Sequence, residues 1–110
     1  MSYEHKDLAN GRWGELPFLE QMANIGSEVE RALNWRMKNN AGYSRHASDR
    51  ALELLDLTLD SVKTPARLRE LARAREAIVD YFYEANQYGS SEIFWRKYFS
   101  NFAYAACKDR

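Results

Sequence analysis

The side chains best able to do chemistry in this sequence of 110 residues are its carboxylates. Glu53 and Asp56 stand three residues apart, so on a helix they project from one face, as two oxygen ligands of a magnesium ion would. Glu28 and Glu30, the acidic pair before them, lie about 200° apart around a helix and cannot share an ion. The carboxylates therefore predict neither a catalytic centre nor a metal site.

Three more carboxylates, Glu76, Asp80 and Glu84, recur at four-residue steps and place like charges along one side of a helix. Arg73 precedes them by one turn on that side, and basic residues of a following helix lie within reach. We interpret these carboxylates as part of an ion-paired surface. A divalent-metal hydrolase acting on a nucleotide is retained as the third hypothesis. Its candidate metal ligands are Glu28, Glu53, Asp56, Asp80 or Glu84.

Histidine and cysteine are too few for a ligand set. The sequence has His5, His46 and a single cysteine, Cys107. One thiol excludes an internal disulfide, and with two histidines it cannot complete a structural zinc site. We interpret Cys107 as a packing residue and expect no cofactor.

One arginine falls on an apolar stripe of the sequence. Arg75 lies between Leu71 and Ile78, and a guanidinium removed from water needs a carboxylate partner. Glu28, at the edge of the apolar stripe of an earlier helix, is predicted as that partner. A buried Arg75–Glu28 ion pair would fix the register of two helices; alternatively, the two residues line an interior polar pocket.

Glycine and proline divide the chain into four long periodic runs, which predict four α-helices joined by short turns. The predicted helices cover residues 17–39, 44–62, 65–87 and 91–107. Helices of this length with short connections favour an all-α fold, an antiparallel up-down-up-down four-helix bundle, with residues 1–110 as one domain. Residues 1–15 fit no helix and are predicted to form a short non-helical arm that Trp13 anchors on the bundle.

The apolar stripes of the helices predict the core and what lies outside it. Gly26 costs about 1 kcal/mol relative to alanine inside a helix, so we expect another helix to approach closely there. On the third helix, the predicted core positions are Leu68, Leu71, Ala72, Ile78, Val79 and Phe82. Apolar residues off the stripes form a candidate interface with another protein: Leu57, Ile93 and Tyr104.

The formal charge is zero, from 16 basic and 16 acidic residues, so no global field attracts nucleic acid. A nucleic-acid role therefore needs a local patch. Basic residues of the third and fourth helices, with Trp95, Tyr98 and Tyr104 nearby to stack bases, are the candidate RNA-binding patch. Its residues are Arg67, Arg69, Arg73, Arg96 and Lys97.

Several segments resemble known families. Residues 13–29, WGELPFLEQMANIGSEV, and 50–57, RALELLDL, resemble uncharacterised short prokaryotic helical-bundle proteins. The architecture is also similar to the four-helix bundles of ribosomal-RNA intervening sequences and diversity-generating retroelements, whose Asn-Ile-Ala-Glu-Gly segment resembles residues 24–28. The second resemblance implies assembly into rings and contact with RNA. Glu53 and Asp56 resemble half of the magnesium-binding pattern of all-helical nucleotide pyrophosphohydrolases.

The leading hypothesis is a non-enzymatic helical bundle that acts by association, as a homo-oligomer or as an adaptor for a protein partner. An RNA-binding bundle is the second hypothesis. The sequence has no run of about 18 apolar residues and no apolar core of a signal peptide near its start. We therefore expect no membrane partner and a cytoplasmic location.

Overall fold

The computed structural model describes residues 12–108. Within this range the regular secondary structure is all helical, with no strand. A single 3₁₀ turn, Trp13–Glu15, precedes four α-helices. These are α1 (Phe18–Met37), α2 (Ala41–Ser61), α3 (Pro65–Tyr83) and α4 (Glu92–Lys108). The all-α class and the number of helices predicted from the sequence are confirmed.

Asparagine residues set two helix boundaries that the sequence analysis placed elsewhere. The side chain of Asn40 accepts a hydrogen bond from the backbone N–H of Tyr43, so α2 begins at Ala41 rather than at residue 44. Ser44 instead lies buried inside α2, where its hydroxyl donates to the carbonyl oxygen of Ala32, 2.8 Å away. Because Asn39 has a positive φ of 60°, α1 has already ended before it.

The core is built around α1, which packs against α2 and α4. Along α1 the residues with almost no exposed surface follow helical spacing: Met22, Ile25, Gly26, Val29, Ala32 and Leu33. At Gly26, α1 and α4 approach closely, because a Cβ atom added there would lie 2.7 Å from the Cβ atom of Phe99. The predicted close approach of a helix at Gly26 is confirmed.

Trp13 attaches the segment before α1 to the core. Its side chain is 3% exposed, and its indole N–H donates to the hydroxyl of Thr58 in α2 at 2.8 Å. Gln21 donates in turn to the carbonyl oxygen of Trp13 at 2.8 Å. The predicted anchor is therefore confirmed, while the prediction of no helical structure up to residue 15 is wrong because of the 3₁₀ turn. The rest of the predicted arm, including His5, lies outside the described residues.

The helix α3 packs more loosely than α1. Its main neighbour is α2, reached by an ion pair from Arg75 to Asp56 and by Tyr83, whose hydroxyl lies 2.9 Å from that of Ser48. Leu68 is 45% exposed and Ala72 is exposed as well, so their predicted places in the core are wrong. The reason is that α3 packs mainly against α2, which leaves the side of α3 that carries Leu68 partly open to solvent.

Candidate binding groove between α3 and α4

The groove between α3 and α4 is a cavity of about 670 Å³. This volume lies within the range of typical ligand sites. One wall is a single face of α3 between residues 66 and 77, and the other is α4 between residues 91 and 98. The loop from Tyr88 to Ser90 closes one end.

The α3 wall combines small apolar residues with cationic ones. Ala66, Ala74 and Ala77 give it a low profile, so another chain can approach the α3 backbone. Arg69 and Arg73, one turn apart, line the same wall and are exposed. Neither guanidinium forms an ion pair or hydrogen bond with any residue of the described range. Two guanidiniums without an ion-pair partner therefore lie beside an apolar surface.

The α4 wall is aromatic. The ring of Phe94 is 52% exposed, and its centroid lies 5.0 Å from that of Trp95 and 6.1 Å from that of Tyr98. Tyr98 donates its hydroxyl hydrogen across the groove to Glu70 at 3.0 Å. Burial, together with the Glu70 carboxylate, raises the pKa of Tyr98 well above its usual range, so this hydroxyl stays protonated at neutral pH.

Trp95 is the one side chain of the described residues with a buried polar atom that lacks a hydrogen-bond partner. The residue is 1% exposed, and its indole nitrogen, Nε1, is the unpaired donor. Leaving such a donor unpaired costs about 1–3 kcal/mol. Trp95 lines both the groove and the surface between α1 and α4.

A buried carboxylate holds the closed end of the groove. Asp80, 5% exposed near the end of α3, accepts hydrogen bonds from the backbone N–H groups of Gln87 at 2.7 Å and Tyr88 at 3.0 Å. Asn86, with φ of 54°, exchanges two hydrogen bonds of 2.9 Å with the backbone of Ser90. These bonds explain why α3 ends at Tyr83, earlier than the predicted residue 87, and they give the loop a defined shape.

The structure separates the predicted RNA-binding residues. Arg69 and Arg73 line the groove. Arg67 instead lies over the ring of Phe18, 4.3 Å from its centroid, at the far side of α3. Arg96 is turned to α1, where it donates to Asn34 at 2.8 Å and pairs with Glu30 and Glu92. Lys97 lines the surface between α1 and α4, and it also lines a depression next to the groove that shares Glu70 and Phe94 with it. The five residues therefore do not form one continuous strip.

The predicted Arg75–Glu28 ion pair is wrong. Arg75 donates to Asp56 of α2 at 2.7 Å, and its side chain is 38% exposed. Glu28 pairs instead with Arg50 at 3.1 Å and Arg31 at 3.2 Å. Arg75 lies on the side of α3 that packs against α2, so the nearest carboxylate is Asp56 of α2 and not Glu28 of α1.

One of the three predicted interface residues is buried. Leu57 is 9% exposed and belongs to the core, so its assignment to an external surface is wrong. It is covered because α2 contacts α1, α3 and the 3₁₀ turn rather than one neighbour alone. Ile93 and Tyr104 are 78% and 70% exposed and lie on one side of α4, since eleven residues make about three helical turns.

The carboxylates considered for metal binding are dispersed. Among residues 12–108, no three His, Cys, Asp or Glu side chains lie close enough together to hold a metal ion. Asp56 pairs with Arg75, Glu28 pairs with two arginines, and Asp80 binds backbone N–H groups. The supposed stack of Glu76, Asp80 and Glu84 is thus broken at its centre, because Asp80 turns into the loop.

The sequence analysis missed the groove itself and Phe94 as part of it. The residue pattern of α4 showed many aromatic side chains, but helical periodicity does not reveal which side of α4 the neighbouring helices leave uncovered.

No helix between residues 12 and 108 has the length and apolarity needed to cross a membrane. Comparison of the chain with protein-family models, curated proteins and solved structures gave no match.

Proposed function

We propose that this protein is a non-enzymatic adaptor that binds an acidic amphipathic helix of a protein partner in the groove between α3 and α4. The observation that carries the proposal is the composition of the groove. The exposed ring of Phe94 and the half-buried ring of Tyr98 face a wall of α3 on which Arg69 and Arg73 lack any carboxylate partner among the described residues.

The shape of the α3 wall favours a helix as the bound element. Its lining positions recur at three- and four-residue steps from Ala66 to Ala77, a length of about 16 Å at 1.5 Å per residue. Alanines at these positions allow a second helix to pack closely, as small residues do at helix–helix contacts. Helix-in-groove recognition uses apolar anchors at similar steps, and Phe94 and Tyr98 offer the surface against which they would pack.

The charge of the α3 wall favours carboxylates on that helix. Arg69 and Arg73 are one helical turn apart, so two acidic residues at the same spacing on the partner can meet both guanidiniums. Glu70, the acidic residue of this wall, already accepts a hydrogen bond from Tyr98. Charge complementarity of this kind mainly selects the partner and speeds association.

We also infer that the four helices have the antiparallel up-down-up-down order. Contacts between α1 and α2 support it: Gln21 reaches Ser61, Glu28 reaches Arg50, and Ala32 reaches Ser44. Those between α1 and α4 follow the same inverse order, from Phe18 with Phe102 to Glu30 with Arg96. Intramolecular distances from site-directed spin labels at both ends of each helix would test the order.

Binding of a designed helical peptide tests the adaptor. The probe is an 18-residue fluorescent peptide with leucines on one face and glutamates flanking it; its partner probe carries lysines in place of the glutamates. We expect the acidic probe to bind at low ionic strength at least about tenfold more tightly than the basic one, measured by fluorescence anisotropy.

Variants of the protein locate the binding. Arg69→Glu with Arg73→Glu should weaken the acidic probe by at least about tenfold, and Phe94→Ala should weaken both probes. Lys63→Glu, a charge reversal in the exposed α2–α3 connection, is the matched control and should leave binding unchanged. Equal affinity of the two probes, or an unaffected arginine double variant with folded helical content, would reject the acidic-helix site.

RNA is the second candidate ligand, because unpaired guanidiniums opposite the exposed ring of Phe94 and the half-buried ring of Tyr98 also suit phosphates and bases. The same two arginines would contact phosphates while Phe94 and Tyr98 stack bases. A fluorescent 12-nucleotide single-stranded RNA distinguishes the candidates in the same assay. Binding of this RNA, lost in the arginine double variant, together with no binding of the acidic peptide would replace the adaptor by an RNA-binding bundle.

Self-association is the third possibility, supported by the exposure of Ile93 and Tyr104 on one side of α4. Native mass spectrometry at several protein concentrations reports it directly. A defined oligomer that becomes a monomer in Ile93→Asp with Tyr104→Asp would assign that side of α4 to a second copy of the chain. A monomer at every concentration would leave the groove as the principal contact surface.

A further inference from the structure

A second cavity lies where the α1–α2 turn meets the end of α3, remote from the groove between α3 and α4. Its volume is about 350 Å³. It is lined by polar and cationic side chains with one aromatic ring, namely Arg36, Asn39, Ser44, Arg45, Ser48 and Phe82. The cavity therefore differs in character from the largely apolar groove.

Aromatic rings hold both arginines of this cavity. The guanidinium carbon of Arg36 lies 4.6 Å from the ring centroid of Tyr81, and its Nη1 donates to the Tyr81 carbonyl oxygen at 3.2 Å. The guanidinium carbon of Arg45 lies 4.2 Å from the ring centroid of Tyr83. Stacking on a ring restricts a guanidinium, so less freedom is lost when it donates to a ligand.

Neither arginine of the cavity has a carboxylate within ion-pair distance in the described part of the chain. Asp49, one turn beyond Arg45 on α2, accepts a hydrogen bond from the Tyr83 hydroxyl. The Ser44 hydroxyl donates to the carbonyl oxygen of Ala32, and the Ser48 hydroxyl is shared between the carbonyl oxygen of Arg45 and the Tyr83 hydroxyl. The donors that the cavity offers are therefore guanidinium N–H groups and the side-chain amide of Asn39, while the serine hydroxyl hydrogens are already used.

The start of α2 adds to the positive character of the cavity. Ala41, the first residue of α2, lines it, and the first turn of this helix contains no acidic residue. The partial positive charge of a helix N-terminus therefore borders the same cavity as Arg36 and Arg45 and is not offset by a carboxylate in that turn. The combination favours a small dianion over a single carboxylate.

We propose that this cavity binds the phosphoryl group of a small phosphate monoester. Arg36 and Arg45 would donate to its oxygens, and Phe82 would contact the organic part. The volume exceeds what a phosphoryl group alone fills, so room remains for a compact organic body beside the Phe82 ring. This proposal does not depend on the adaptor function, since the two cavities share no lining residue.

Nuclear magnetic resonance titration tests the site with three probes: inorganic phosphate, adenosine monophosphate, and adenosine, which lacks the phosphoryl group. We expect phosphate and the monophosphate to shift the backbone amide signals of Ala41 and Gly42, with tighter binding of the monophosphate. Adenosine should leave these signals unshifted. The absence of shifts with both phosphate-containing probes would overturn the proposal.

Variants at the arginines make the test specific. Arg36→Gln and Arg45→Gln should each weaken phosphate binding at least about fivefold, since each removes a charge-assisted donor. Arg45→Lys, which keeps the charge but loses the forked donor, should fall between Arg45→Gln and wild type. Arg69→Gln, at an exposed unpaired arginine of the other cavity, is the control. Affinities in Arg36→Gln and Arg45→Gln equal to the control, with an unchanged helical spectrum, would overturn the assignment.

Discussion

Gly26 illustrates how a single position sets the distance between two helices. A methyl group at position 26 would lie 2.7 Å from the Cβ atom of Phe99, and Cβ cannot move without its backbone. We expect Gly26→Ala to lower the free energy of unfolding by about 1–3 kcal/mol, because α1 and α4 must separate. Alanine's better helix propensity offsets this by up to about 1 kcal/mol. Urea denaturation measures the difference.

Gly42 supplies the control for that substitution. It lies in the first turn of α2, and the nearest atom to an added Cβ is the Asn40 Oδ1 at 3.8 Å, an ordinary contact. Gly42→Ala should therefore leave stability unchanged or raise it by up to about 1 kcal/mol. A Gly26→Ala protein as stable as Gly42→Ala would show that α1 and α4 are not packed this tightly.

Tyr83 makes stability depend on alkaline pH. Burial, with the hydrogen bond donated to Asp49, raises its pKa to about 12, whereas in the unfolded chain the group titrates near 10.0. The folded state thus keeps a proton that the unfolded state loses, so this contribution is complete below pH 10 and declines from about pH 10 to 12. Tyr83→Phe should show a smaller decline in unfolding free energy over that range. Tyr104→Phe, at an exposed position, should decline as steeply as wild type.

The sequence was informative about residues whose environment depends on one neighbour and misleading about those that depend on several. Gly26 and Trp13 were predicted correctly, because a glycine inside a helix and a tryptophan in a polar segment each imply one close contact. Arg75 and Leu57 were not. Their burial is decided by how three elements share the circumference of a helix, and periodicity records only one preferred face.

Among the elements, the loop between α3 and α4 depends on one buried carboxylate. Replacing Asp80 with alanine leaves the N–H groups of Gln87 and Tyr88 without acceptors. We expect Asp80→Ala to lower the free energy of unfolding by about 2–4 kcal/mol, because hydrogen bonds to a charged acceptor contribute about 1.5–3 kcal/mol each and water satisfies part of the loss. Chemical denaturation measures it.

Glu76→Ala is the matched control for Asp80→Ala, since Glu76 lies on the same helix and is exposed. Its stability should stay within about 0.5 kcal/mol of wild type. Amide hydrogen exchange adds a local measurement: in Asp80→Ala the N–H groups of Gln87 and Tyr88 should exchange faster than in Glu76→Ala. Unchanged protection at both amides would contradict the role given to Asp80.

Helix existence and approximate extent were predictable because each run keeps its apolar spacing over several turns. The ends were less so. Asn39, Asn40 and Asn86 all act where helices begin or end, through a positive φ or a side-chain acceptor. Asparagine occurs in many other settings in this sequence, so local composition alone does not single out those three.

For the whole molecule, unequal packing of the helices predicts unequal opening. The apolar face of α1 is covered by both α2 and α4, whereas α3 has α2 as its main neighbour. We expect backbone amides in the middle of α1 to exchange with solvent at least about tenfold more slowly than those in the middle of α3, since local opening exposes less buried surface in α3. Hydrogen exchange with mass spectrometry tests this. Equal exchange rates in α1 and α3 would contradict the looser packing of α3.

The groove between α3 and α4 is the property of the whole fold that the sequence could not reveal. All four helices carry apolar stripes, and a symmetric bundle would use each stripe to close its neighbours' seams. Leu68 and Phe94, both substantially exposed, show that the stripes of α3 and α4 are not fully used in this way. The predicted class of fold was therefore correct, while the candidate site arose from where that fold is incomplete.

The central place of α1 also affects which surface the chain exposes while it is being synthesised. The contact between Gly26 and Phe99 joins segments about 70 residues apart, which a ribosome makes in about 4 to 14 seconds at 5–20 residues per second. Until α4 emerges, the apolar face of α1 has only α2 to cover it. During that interval the nascent chain exposes aliphatic surface, and a chaperone that binds such surface would meet it then. The folded protein, in which Ile25 and Val29 are buried and α4 packs on α1, would no longer present it.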